Sequence, residues 1–173
     1  MGTRNLTIVK ANDEIKVAQY CQWDGYPSGQ GATILNFLKN ADLEHFKHVV
    51  SLLGQYSDRG IENLWKEMGA DGSGFVSLDI SDKFKEKYPH LHRDCGADIL
   101  QMIYDKDIFK VRLDEDFLND SLFCEWAYTI DLDENVLKVH NGGHHVIKEY
   151  PLDKLKLPTL KKFVNELESI AYK

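Results

Sequence analysis

Residues 23–31 read Trp-Asp-Gly-Tyr-Pro-Ser-Gly-Gln-Gly, a short stretch crowded with residues able to grip a ligand. Gly25, Gly29 and Gly31 allow φ > 0 and close approach of backbone to a bound group. Ser28 offers a hydroxyl, and Trp23 and Tyr26 offer a stacking face for a base. Ile34, Leu35, Phe37 and Leu38 follow at helical spacing, so the loop is expected to end where a helix begins. The first N–H groups of a helix lack intrahelical partners and, with the helix dipole, attract anions. Arg4, on the first strand, and Arg93 are the guanidiniums expected to fork to phosphate. The expected ligand set is Arg4, Trp23, Asp24, Gly25, Tyr26, Ser28, Gly29, Gln30, Gly31 and Arg93. The pattern lacks the Gly-Lys-Ser/Thr of a Walker loop and is not the Gly-x-Gly-x-x-Gly fingerprint. The structural alternative is a tight strand-to-helix connection, with Trp23 and Tyr26 in the core and Asp24 and Ser28 capping backbone.

Other groupings carry less. His90, His92 and Cys95, or His140, His144 and His145, lack the spacing of a zinc set, and no metal or cofactor is expected. Asp71-Gly72-Ser73-Gly74 lacks the ligand order of a calcium loop. Asp114, Glu115, Asp116 and Asp120 read as a solvated acidic face. Asp94 reads as the N-cap of a helix carrying Ile99, Leu100, Ile103 and Tyr104. There is no Gly-x-Ser-x-Gly elbow and no cysteine in a recognisable nucleophile context, so no catalytic residue is assigned.

The elements that must position these residues follow from periodicity. Leu6–Val9 and Ile15–Tyr20 flank a polar turn and predict an N-terminal hairpin. Helices are expected over 34–38, 42–53, 61–68, 81–88, after Asp94, and from about Pro158. Residues 123–132, 136–140 and 144–150 are separated by Asp133-Glu134-Asn135 and Asn141-Gly142-Gly143, and predict a three-stranded meander. The expected fold is α+β: one antiparallel sheet built from hairpin and meander, with helices packed on it, in a single domain spanning 1–173.

Composition narrows the function. A net charge of −7 disfavours duplex nucleic acid, which needs many Lys and Arg, but permits one small phosphorylated ligand. Cys21, Cys95 and Cys124 form no Cys-x-x-Cys and read as reduced thiols of a cytoplasmic protein. No signal peptide or membrane span is expected, and Leu6 replaces the Ser or Thr that would make Gly2 a myristoylation site.

The opening Met-Gly-Thr-Arg-Asn-Leu-Thr-Ile-Val, the strand end Val-Ala-Gln-Tyr and the following Gln-Trp-Asp-Gly-Tyr-Pro-Ser-Gly-Gln-Gly resemble a family of small bacteriophage and prophage proteins. Arg93–Leu100 and Glu125–Asp133 look similar to the same family, so the resemblance spans most of the chain. The family brings no established catalytic residue. The resemblance implies a phage accessory protein in the cytoplasm of the infected host, with a role against host defence. The expected activity is that of a sponge, a homo-oligomer that sequesters a nucleotide signal of cyclic-oligonucleotide or ADP-ribose type. Two other readings stay open: a hydrolase with Asp24 or a histidine as general base, and an acidic inhibitor acting through Asp114 to Asp120.

Overall fold

The computed structural model describes residues 2–173. Strand β1 (Asn5–Ala11) turns into β2 (Glu14–Cys21) through Asn12 and Asp13, whose φ values are 55° and 60°. Two successive positive-φ residues make the tight hairpin turn whose twist matches the flanking strands. Two short strands follow, β3 (Gly54–Gln55) and β4 (Lys110–Val111), and then the meander β5 (Trp126–Asp131), β6 (Val136–Asn141) and β7 (Val146–Pro151). The helices are α1 (Ala32–Asn40), α2 (Leu43–Ser51), α3 (Asp58–Glu67), α4 (Leu78–Lys87), α5 (Ile99–Tyr104) and α6 (Leu160–Ala171).

The main sheet has the order β2-β1-β5-β6-β7. Hairpin and meander are joined as expected, but not in an all-antiparallel sheet. The junction is parallel, with Asn5 opposite Trp126 and Lys10 opposite Asp131. Alternating burial sets which face a residue occupies and is silent on strand direction, so the sequence pattern could not reveal this. A parallel pair needs a long crossover, and everything from Gln22 to Glu125 serves as that connection.

The two sheet faces are covered differently. Val9, Val17, Trp126, Tyr128, Ile130 and Val139 point to one side and pack with Leu38, Phe46, Leu100 and Phe163 of the helices. On the other side Leu6, Ile8, Ala18 and Ala127 pack under Leu118 and Cys124, beside a 3-10 turn at Glu115–Asn119. The expected acidic face is solvated at Glu115 and Asp116, while Asp114 and Asp120 are half-buried on a segment that covers the back of the sheet. Burying its apolar residues requires the chain to pass there, and the carboxylates travel with it.

Helix starts follow side-chain capping. Asp42, Ser57, Ser77 and Thr159 each accept hydrogen bonds from N–H groups in the first turn of α2, α3, α4 and α6. Ser77 explains why α4 begins at Leu78 rather than at Ser81. Asp94 does not cap a helix. A 3-10 turn at Gly96–Asp98 intervenes before α5, and the Asp94 carboxylate is engaged elsewhere. Among the described residues no helix is long and apolar enough to cross a membrane.

The Asp133 carboxylate ties the two hairpin turns together, accepting from Asn12 N at 2.8 Å and Asp13 N at 2.9 Å. These N–H donors, that of Asp13 first, hold its carboxyl below the usual range. Stability from such a group is present above the ordinary carboxylate pKa and is lost as pH falls through the lowered one. Asp133→Ala is accordingly expected to lower the thermal midpoint at neutral pH. Its deficit should close in acid below the lowered pKa, where the parent carboxyl is protonated too. A deficit that persists unchanged into acid would assign the role to packing instead.

Candidate functional site

The 23–31 loop is more tightly bonded to itself than its composition suggests. Pro27–Gly31 forms one π-helical turn that runs directly into α1, with Gly31 N donating to Tyr26 O at 3.3 Å. Gly29 N donates to Tyr26 O at 2.9 Å and Gln30 N to Asp24 O at 2.8 Å. Gly25 N donates to Thr3 O at 3.0 Å, and Gly25 O accepts from the buried Tyr128 hydroxyl at 2.8 Å. The free helix start expected after Gly31 is thus absorbed by the turn before it. The Gln30 side chain is turned inward and accepts from Ala97 N at 2.7 Å.

The loop glycines do not adopt positive φ; Asp24 does, at 57°. They are glycines because of contact. A Cβ at Gly29 would lie 2.2 Å from Asp24 O, one at Gly25 2.8 Å from Thr3 O, and one at Gly31 2.9 Å from the Tyr128 hydroxyl. Their small size serves internal packing. Ser28 is exposed, and Trp23 and Tyr26 are each 43% exposed, so the aromatic faces are half in solvent rather than core.

Arg4 and Arg93 part company. The Arg4 guanidinium lies over the Phe123 ring, 4.8 Å from its centroid, on the back face of the sheet. Strand alternation sends residue 4 away from the side on which Gly25 packs. Arg93 does come to the loop: its carbonyl accepts from Gln22 N at 3.0 Å. The neighbouring Asp94 accepts from the Trp23 indole at 3.1 Å and pairs with Lys85 at 3.1 Å. The Arg93 side chain is well exposed, and its Nε lies 3.9 Å from Asp94 Oδ1, beyond hydrogen-bonding distance.

Arg93 also lines a cleft of about 710 Å3 beyond the β2 edge. Its walls come from Gln19 and Tyr20 of β2, Asp58, His90–Arg93, and the segment from Arg112 to Asp120. That last segment is bonded along β2, with Asp114 N donating to Ala18 O at 2.9 Å. Arg112 pairs with Asp114 at 2.9 Å, while burial pushes the Asp114 carboxyl up against that pull. Two buried groups bordering the cleft have polar atoms without partners. Gln19 is 4% exposed with Oε1 unbonded, and His90 is 6% exposed with both ring nitrogens unbonded. Leaving such atoms unpaired costs about 1–3 kcal/mol each.

The remaining sequence candidates disperse. His92 Nδ1 sits 3.3 Å from Asp94, Cys95 is in the core, and no group of three or more His, Cys, Asp or Glu among the described residues is arranged to hold a metal. Burial pushes the Cys95 and Cys124 thiols up to about 12 and also raises Cys21. None of the three is a ready nucleophile. Gln19, Tyr20 and Arg112 are not among the sequence candidates, and His90 is weighed there only as a metal ligand, since four separated segments build the cleft.

Two substitutions test these assignments. Gly29→Ala should cost about 1–3 kcal/mol in urea unfolding, as overpacking does; a neutral effect would return the glycine to a ligand role. His90→Phe should stabilise the protein by about 1 kcal/mol by removing unpaired nitrogens. Burial lowers the His90 pKa, so its contribution is full above the usual 6.5 and declines as pH falls below it. The variant should therefore lose less stability than the parent below that pH, and an unchanged acid slope would contradict the burial described. No family model, no curated protein and no solved structure matches this chain, so the cleft is judged by its own geometry.

Proposed function

We propose that this protein binds and sequesters a phosphate-bearing nucleotide signal of the ADP-ribose type in the cleft beyond the β2 edge. One observation carries the reading: a cleft of about 710 Å3 lined by Arg93, whose guanidinium has only a long 3.9 Å ion pair with Asp94, and walled by Gln19 and His90, whose buried polar atoms lack partners. The volume falls in the range of small-molecule sites, about 300–1,000 Å3. Arg93 supplies a guanidinium for a pyrophosphate, and Arg112 a second one already balanced by Asp114. Gln19 and His90 offer hydrogen bonds that a ligand would complete. Tyr20, held edge-on against Phe117 with ring centroids 4.9 Å apart, offers an aromatic edge.

Charge favours ADP-ribose over a cyclic oligonucleotide. Asp58, Asp114, Asp116 and Asp120 border the cleft together with only two arginines. Carboxylates repel a ring of phosphodiesters, yet they accept hydrogen bonds from ribose hydroxyls, as acidic residues do in dinucleotide sites. Free ribose hydroxyls on both sides of one pyrophosphate suit that arrangement. With the resemblance to phage proteins, the biological consequence we propose is removal of a host defence signal. The reading as an acidic inhibitor has less support, because Asp114, Asp116 and Asp120 line the cleft and Asp114 and Asp120 are half-buried.

A hydrolase remains the second reading, favoured by one feature. Asp114 is largely buried with a raised pKa, in a cleft shared with His90 and His92. That is the setting of a general acid or base.

Titration calorimetry with ADP-ribose and with a cyclic dinucleotide separates these ideas. ADP-ribose should bind, and Arg93→Ala should weaken it about tenfold, the loss of one charge-assisted contact. Chromatography after long incubation should recover the ligand intact; product that disappears in Asp114→Asn would convert the sponge into an enzyme. Absence of ADP-ribose binding, or affinity untouched by Arg93→Ala, would refute the assignment.

A further inference from the structure

His90 also borders a second cleft, of about 700 Å3, whose chemistry differs from the first. The parallel β3–β4 ladder builds one wall: Gly54 N donates to Phe109 O at 2.8 Å, and Tyr56 N to Val111 O at 2.9 Å. This sets Tyr56 beside Lys110, whose Nζ stands 5.5 Å from the ring centroid. The end of α4 supplies the other wall, with Lys87 Nζ 5.3 Å from the Tyr88 centroid. Phe109 is 63% exposed at the mouth, and the His90 ring lies 6.1 Å from that of Tyr56.

Three features of this place point to a ligand. First, three aromatic rings from separate elements are left partly uncovered around one space, a costly arrangement for a surface with no occupant. Second, in a protein with 28 acidic against 21 basic residues, neither Lys87 nor Lys110 forms an ion pair among the described residues. Glu86 and Asp107 border the cleft as well but leave both ammonium groups over aromatic rings. Third, the His90 nitrogens are buried without partners in the shared wall.

We infer that this second cleft is a separate binding site for a planar aromatic group carrying a phosphate, a nucleoside monophosphate in size and chemistry. Tyr56, Tyr88 and Phe109 stack the base, which any π-face accepts. Lys87 and Lys110 hold the phosphate as point charges. His90 holds an unpartnered N–H and lone pair just behind the cleft wall, where a small shift of the wall would bring them to the base edge. The site is independent of the ADP-ribose reading, since it shares only His90 with the first cleft.

The test is titration calorimetry of the full chain with AMP, with adenosine and inorganic phosphate as separate arms. The variants are Lys87→Ala/Lys110→Ala, Phe109→Ala and Arg93→Ala. All four side chains are exposed, and far-UV circular dichroism of each variant is to check that it folds. AMP should bind the parent, and adenosine and phosphate each about tenfold more weakly. The double lysine variant and Phe109→Ala should each weaken AMP about tenfold, while Arg93→Ala leaves it within about twofold. No AMP binding to the parent would overturn the inference. AMP binding lost in Arg93→Ala but kept in the lysine variant would place the nucleotide in the first cleft, overturning the second site alone. AMP binding that depends on the lysines, in a protein that ignores ADP-ribose, would keep this site and sink the ADP-ribose reading.

Discussion

The parallel pairing of β1 with β5 organises the molecule. Because β2 runs against β1 and β5 runs with it, the end of β2 and the starts of β1 and β5 meet at one end of the sheet: Asn5 is opposite both Cys21 and Trp126. The connection leaves that end through the Trp23–Gly31 loop and returns to it through Phe123–Glu125. The Tyr128 hydroxyl on β5 holds Gly25 O, and the Asn5 amide on β1 donates to Trp23 O at 2.9 Å. The loop is thus fastened to both central strands. Its glycines, its π-turn and its inward-facing Gln30 are consequences of being pressed against this junction.

The same geometry concentrates unpaired polarity on one strip. Asn5 and Thr7 on β1 and Gln19 on β2 are buried, lie in adjacent registers, and keep an oxygen without a partner; His90 adds two nitrogens. A sheet edited for stability alone would carry apolar side chains at these places. Both clefts border this strip through Gln19 or His90. The least satisfied part of the interior therefore lies beside both clefts, where the proposed ligand sites would trade a firm fold for a competent site.

Much of the fold was legible in the sequence. Asn12-Asp13 and Asn141-Gly142-Gly143 announce their hairpins, since few residues tolerate positive φ, and Asn12, Asp13, Gly142 and Gly143 all adopt it. Helical spacing found α1, α2, α3 and α6 because each buries a stripe. Strand direction was not legible, since Leu6–Lys10 shows the same face pattern whether its neighbour runs with it or against it. Nor was the use of each glycine: a glycine needed for φ and one needed for room look alike, and here Asp24 bears the unusual φ. Asp94 reads as a cap by position, but the Trp23 indole and Lys85, distant in sequence, compete for its carboxylate. The clefts were invisible because His90, Arg93, Arg112 and Lys110 become neighbours only through the β3–β4 ladder and the bonding of residues 113–114 along β2. Arg93 was singled out by its type alone, and the structure places it in the wall of the first cleft.

The long connection between β1 and its parallel partner has a consequence for the order in which the protein is made. During synthesis the β1–β2 hairpin emerges ahead of the meander, with Leu6, Ile8 and Val9 on a strand whose second edge is bare. The residues that will cover that edge, Trp126–Asp131, leave the ribosome only after every helix but the last. For that interval the nascent chain displays an apolar, unpaired strand, the kind of surface that recruits a neighbouring nascent chain or a chaperone. Completion of the sheet is therefore a late, non-local event whose rate is set by how fast the helices gather the two strands. Yield in the cell should respond to translation speed and chaperone supply more than to the stability of the finished molecule.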